Sequence, residues 1–248
     1  MTQTSPIAID LSHHNTVSSF TSVAADDVIA VVHKATEGTT YVDDKYAERR
    51  KAALAAGLTF CSYHFLKHGS VEQQIAHYLK TAKPEPGERV VIDHEDAAVT
   101  LADLEAAVRA VMASDPSLQI TVYSGHTIKE QLGSARNALL AENTSLWLSQ
   151  YTTGTPSWPT GTWPAWTLWQ YSDKGSVAGI SGACDVNRFN GSDDNAAKWF
   201  GPLGQSPAGA KQPAPGQPDQ KSPILVDIMC PPGANIVITI NGNVITPG

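Results

Sequence analysis

Eight short apolar runs, most of them rich in Val, Ile or Leu, recur along the first 190 residues and limit the chain to few architectures. They fall at residues 6–11, 27–34, 58–66, 89–93, 118–123, 145–150, 166–171 and 184–189. Three of the intervening stretches read as helices. Residues 43–56 are rich in Ala, Lys, Arg and Glu and stop at Gly57; residues 70–82 stop before Pro84. Residues 100–114 open with Thr100 as N-cap and Asp103 three positions on, close to a capping box. Apolar strands alternating with helices predict a parallel sheet covered by helices, and about eight strands suffice to close an α/β barrel. Residues 152–165 are rich in Thr, Gly, Pro and Trp, and the later strands lack convincing helices between them. The prediction is therefore an irregular, TIM-like β/α barrel.

Composition separates this unit from the C-terminal part of the chain. The last 48 of the 248 residues hold 7 of the 19 Gly and 9 of the 16 Pro, and no Trp, Tyr or Phe. The expected organisation is a barrel over 1–200, a Pro/Gly-rich linker over 201–222 and a small β tail over 223–248. In the tail, Ile236 to Ile240 and Val244-Ile245 flank Asn241-Gly242-Asn243, a strong hairpin signal. A lone hairpin is marginal in water, so the tail is expected to need a partner surface.

Other function classes are excluded quickly. A net charge of −7 without a basic run disfavours nucleic-acid binding. No apolar run approaches the length of a membrane span, and the first six residues show no ordinary secretory signal. Cys61, Cys184 and Cys230 are too scattered for a disulfide framework or a zinc ribbon. No phosphate-binding loop or serine-hydrolase elbow appears, and no cofactor is expected.

Catalytic groups of a parallel barrel lie at the carboxyl ends of its strands. Asp10, Asp93, Glu95 and Asp185 fall at or near such ends and are expected to converge on one rim. Asp93 and Glu95 are two apart on an extended segment, so they share a face with α-carbons about 6.5 Å apart. Carboxyls this close push one another toward the protonated form. A protonated acid beside a charged carboxylate is what glycoside hydrolysis requires, and the longer Glu95 reaches further toward a substrate. Asp-x-Glu at a strand end also serves as an ordinary cap-and-surface pair, so the motif alone does not decide. His13, His14 and His94 raise the question of a metal. His94 faces away from Asp93 and Glu95, and no His-x-x-x-His spacing supports zinc, so no metal site is expected. His33 and Cys61 read as buried strand residues.

Seven segments, in order, resemble glycoside hydrolase family 25, the Chalaropsis-type lysozymes. They are Ile9-Asp10-Leu11-Ser12-His13, Lys34-Ala35-Thr36-Glu37-Gly38, Tyr63-His64-Phe65, Ile92-Asp93-His94-Glu95, Leu146 to Tyr151, Leu168-Trp169-Gln170-Tyr171 and Asp185 to Phe189. The resemblance implies cleavage of the β-1,4 bond from N-acetylmuramic acid to N-acetylglucosamine in peptidoglycan, with retention. It implies Glu95 as general acid and Asp93 as its partner, either nucleophile or orienter of the substrate N-acetyl group. Asp10 and Asp185 match two further acids of the cleft. Tyr63, Tyr123, Trp147, Gln150, Trp169 and Gln170 are expected to bind substrate, the aromatics by stacking and hydrogen bonding. The implied partner is the glycan strand, with a phage or injection-apparatus protein as candidate for the tail. The rival readings are a structural component of a phage-like particle carrying such a barrel, and a catalytically silent wall-binding barrel. The substrate implies action on the bacterial wall after release or delivery.

Overall fold

The computed structural model describes residues 7–201 and the backbone of residues 238–240 and 243–245. The linker from residue 202 onward, Cys230 and the apolar run at 224–226 lie outside the described residues. The chain divides into two units between residues 210 and 211.

Eight strands close the barrel of the first unit: β1 (Ala8–Leu11), β2 (Ala30–Glu37), β3 (Thr59–Phe65), β4 (Arg89–Asp93), β5 (Gln119–Ser124), β6 (Thr144–Ser149), β7 (Leu168–Gly175) and β8 (Cys184–Phe189). β1 to β7 are parallel from neighbour to neighbour. β8 lies between β7 and β1 and is antiparallel to both, so the expectation of an all-parallel sheet fails at its last member. The reason is local. Only residues 176–183 join β7 to β8, fewer than a parallel crossover needs, and the chain returns as a hairpin. Gly175 sits at this corner, where a Cβ would collide with Val186 Cγ1.

The pleat sorts side chains into two layers. Ile9, Val31, Phe60, Val90, Ile92, Val122 and Leu148 point outward against the helices. Ala8, Val32, Cys61, Val91, Tyr123, Trp147 and Leu168 point inward and fill the barrel. Burial on both faces explains why these strands read as continuous apolar runs rather than alternating ones.

Of the helices among the described residues, three occupy the predicted stretches. These are α2 (Tyr46–Ala55), α3 (Val71–Ala82) and α4 (Leu101–Ser114). The Thr100–Asp103 capping box forms in both directions, and α4 buries Leu104, Ala107, Val108 and Val111 at helical spacing. The others, α1 (Phe20–Ala25), α5 (His126–Leu132), α6 (Ala138–Asn143) and α7 (Asp193–Phe200), have at most eight residues. α7 plugs the lower end of the barrel. Ala196 and Phe200 join the inner layer, and Trp199 stacks on the Arg89 guanidinium at 3.7 Å while its carbonyl accepts from Arg89 Nε. His33 is fully buried, with Arg49 donating to its Nε2.

In the second unit, Ile238–Ile240 pairs antiparallel with Asn243–Ile245. This pairing matches the hairpin signal of the Asn-Gly turn.

Candidate active site

At the upper rim the inward column of nearly every strand ends in a polar or aromatic side chain. Asp10 ends the column of β1, Tyr63 of β3, Asp93 of β4, Tyr123 of β5 and Gln170 lies on β7. Together with Glu95, Trp147, Tyr151 and Asp185 they line a cavity of about 290 Å³. Asp185 reaches this rim for a reason opposite to the others. It is the second residue of a strand running backwards, and its α-carbon pairs with that of Asp10. The four acids are thus brought together as expected, but one of them from a strand's start.

Burial dominates the electrostatics. Asp10 is 8% exposed, and burial followed by the charge of Asp185 pushes its carboxyl up to about 8. Asp93 is raised well above the carboxylate range, by burial and then by Glu95. Burial, followed by the charge of Asp173, raises Asp185 to about 6. Glu95, on the loop after β4, is exposed to solvent. Its carboxyl is still raised, by partial desolvation and then by Asp185. The one lysine on the wall, Lys34, pairs with Glu37 and lies over the rings of Tyr41 and Phe65.

Hydrogen bonds fix several of these groups. Gln170 Nε2 donates to both Asp10 oxygens at 2.9 and 3.0 Å, and its Oε1 accepts from the Tyr123 and Tyr151 hydroxyls at 2.8 and 2.9 Å. The rings of Tyr123 and Trp147 meet at 4.4 Å. Asp93 Oδ1 is buried with no hydrogen-bond partner.

Two of the expected substrate-binding residues stand elsewhere. Trp169 follows Leu168 and precedes Gln170, which both face inward, so the pleat turns it outward. Its indole donates to the Gln150 carbonyl. The Gln150 side chain is held by Lys129 and the Ser157 amide, away from the cavity wall. Conversely, Tyr151, Ser12, His14, Lys34 and Phe65 line the cavity, although the sequence pattern does not single them out as substrate-binding. Tyr151, 52% exposed beside Gln150, carries no signal beyond its neighbour. His94 turns away as expected and pairs with Gln131. Among the described residues no group of three or more His, Cys, Asp or Glu side chains is placed to hold a metal ion, and no helix is long and apolar enough to cross a membrane.

Carboxyls raised toward the protonated form, acidic neighbours and an aromatic-lined cavity form a site able to cleave an acetal. Comparison with known proteins agrees. Residues 9–180 match the model of glycosyl hydrolases family 25. Lysozyme M1 of Streptomyces globisporus is 27% identical over 201 residues, covering 74% of this chain and 67% of that protein. The autolytic lysozyme of Clostridium acetobutylicum is 30% identical over 179 residues, covering 69% of this chain, which spans only 52% of that longer protein. The crystal structure of the bacterial lysozyme from Streptomyces coelicolor superposes with a TM-score of 0.69 at 26% identity, covering 77% of this chain and 94% of that one. A muramidase from Trichobolus zukalii, at 24% identity and a TM-score of 0.67, shares the fold over 76% of this chain and 95% of its own. The chain belongs to glycosyl hydrolases family 25 and is a glycoside hydrolase of the lysozyme class.

Proposed function

We propose that this enzyme is a muramidase that cleaves the β-1,4 bond from N-acetylmuramic acid to N-acetylglucosamine in peptidoglycan, with Glu95 as general acid. The observation that carries the assignment is the contrast between Glu95 and Asp93. Glu95 stands open to the cavity, and desolvation and the charge of Asp185 raise its carboxyl toward the protonated form that can donate to a leaving oxygen. Asp93 is 4% exposed, and its Oδ1 lacks a donor. An unpaired buried acceptor costs about 1–3 kcal/mol, which a substrate donor restores. The N–H of the sugar's N-acetyl group is the donor of suitable chemistry. Asp93 then orients that group to capture the developing oxocarbenium centre, and configuration is retained. Tyr63, Tyr123 and Trp147 offer aromatic faces in the same cavity for contact with the sugar.

A wall-binding barrel without activity is not favoured, because all four acids face the cavity. A purely structural role in a particle is not favoured either, given the family and its lysozyme relatives. The 223–248 tail is assigned to docking on a phage or injection particle by strand addition, with the barrel acting on the bacterial wall. Mass spectrometry of fragments released from purified peptidoglycan tests the reaction. Reducing-end muramic acid is expected; reducing-end glucosamine or cut peptides would overturn it.

A further inference from the structure

Asn187 lies two residues beyond Asp185 on β8, faces the barrel interior and is fully buried. It is absent from the cavity wall, so it does not meet substrate. Its Nδ2 donates to Asp10 Oδ2 at 2.8 Å and to the Ala8 carbonyl at 3.3 Å. Its Oδ1 accepts the indole N–H of Trp147 at 2.7 Å. An indole N–H can only donate, so Trp147 dictates which end of the carboxamide faces Asp10. Gln170 adds its two contacts from the neighbouring strand. Three N–H···O contacts therefore converge on one carboxyl, while no lysine or arginine among the described residues pairs with it.

This arrangement has a directional consequence. Amide N–H groups reach both oxygens of Asp10, one contact on Oδ1 and two on Oδ2. An oxygen that accepts two N–H contacts has little room left for a proton, so a proton carried by Asp10 is placed on Oδ1, which accepts one. We propose that Asn187, locked by Trp147, is a positioning residue that fixes the orientation and proton placement of Asp10 in the hydrolytic site. The role rests on the reading of Asp10 as a carboxyl of the reaction cavity. Its amide donor favours the charged form and so opposes burial and the neighbouring acid.

The test pairs Asn187→Ala with Asp10→Asn. On solubilised peptidoglycan, Asn187→Ala is expected to lower kcat about tenfold with KM changed less than twofold, the order expected from losing one hydrogen bond to an ionisable group. The pH–rate limb belonging to Asp10 moves to higher pH, because the charged form has lost a donor. In the Asp10→Asn background the same substitution costs less than twofold. A carboxyl-carbon NMR titration of Asp10 reads the same upward shift without turnover. Should Asn187→Ala not fold, Trp147→Phe keeps an aromatic ring, removes the locking N–H, and is expected to move the Asp10 titration in the same direction. Equal losses in both backgrounds, or an unmoved titration, would reduce Asn187 to packing. Failure of the muramidase reading shows separately, as a wild-type enzyme that releases no reducing-end muramic acid.

Discussion

Substituting Asp10 by Asn is expected to remove a pH-dependent weakness of the fold. Asp10 has an unfolded value of 3.8 and a folded value of about 8. The folded state therefore keeps a proton that the unfolded chain releases. Stability from this group is thus fully present below 3.8 and is lost as pH rises toward 8. Each pH unit inside that window costs about 1.4 kcal/mol. Between pH 5 and 8 the wild type should lose about 4 kcal/mol relative to Asp10→Asn, a change in the Tm difference of about 10 °C. The relative measure matters, because His33 and His64 are lowered to about 4 by burial and strengthen the fold over part of the same range. They titrate equally in both proteins and cancel. Any fixed cost of placing an Asn against the Gln170 and Asn187 donors cancels too, since it does not vary with pH. The assay is urea unfolding of both proteins at half-unit steps from pH 5 to 8. A difference constant to within about 1 kcal/mol would refute the claim that Asp10 is held protonated by its surroundings.

Other expectations concern single positions or segments. Glu95→Gln should abolish wall lysis with an unchanged melting profile; retention of more than a tenth of the turbidity-clearing rate would remove its assignment as acid. Asp93→Asn should lose at least ~10²-fold in kcat, in line with the contribution of a positioned carboxyl, and less than tenfold would count against its role. Phe200→Ala, at the plugged end of the barrel, should cost about 3–5 kcal/mol of stability by calorimetry, because that ring is only 1% exposed. Its kcat/KM at 25 °C should stay within twofold. A protein ending at Gly201 should remain folded and cleave purified peptidoglycan; aggregation or loss of cleavage would make the later residues part of the barrel.

Much of this architecture was legible because apolar runs buried on both faces leave a plain mark, and all eight barrel strands lie on or overlap the expected runs. α4 announced itself through Thr100 and Asp103. α1, α5, α6 and α7 did not, since helices of six to eight residues have too few turns to display a periodic face. Strand direction was not legible either. Period-two patterning is the same read forwards or backwards, so nothing in Cys184 to Phe189 declared β8 antiparallel. The acids could be placed on the rim because they sit at element ends. Trp169 could have been assigned to the outer layer from its neighbour Gln170, as adjacent strand residues cannot both face inward. The same alternation, applied from Asp185 to Asn187, points to the residue beneath Asp10. Tyr151 depended on the course of a loop, which pattern does not determine.

The reversed last strand has a consequence for when this molecule becomes dangerous. β8 slots between the first strand and the seventh, so Asp10 and Asp185 meet only across the closing seam of the cylinder. No shorter nascent chain contains the pair, and contacts spanning nearly the whole sequence form slowly. A nascent chain is therefore expected to lack the complete set of four acids until the last strand has emerged and paired with β1. Two fragments divided in the 152–165 loop should each lack a site and regain one on mixing, a built-in delay for an enzyme that attacks walls.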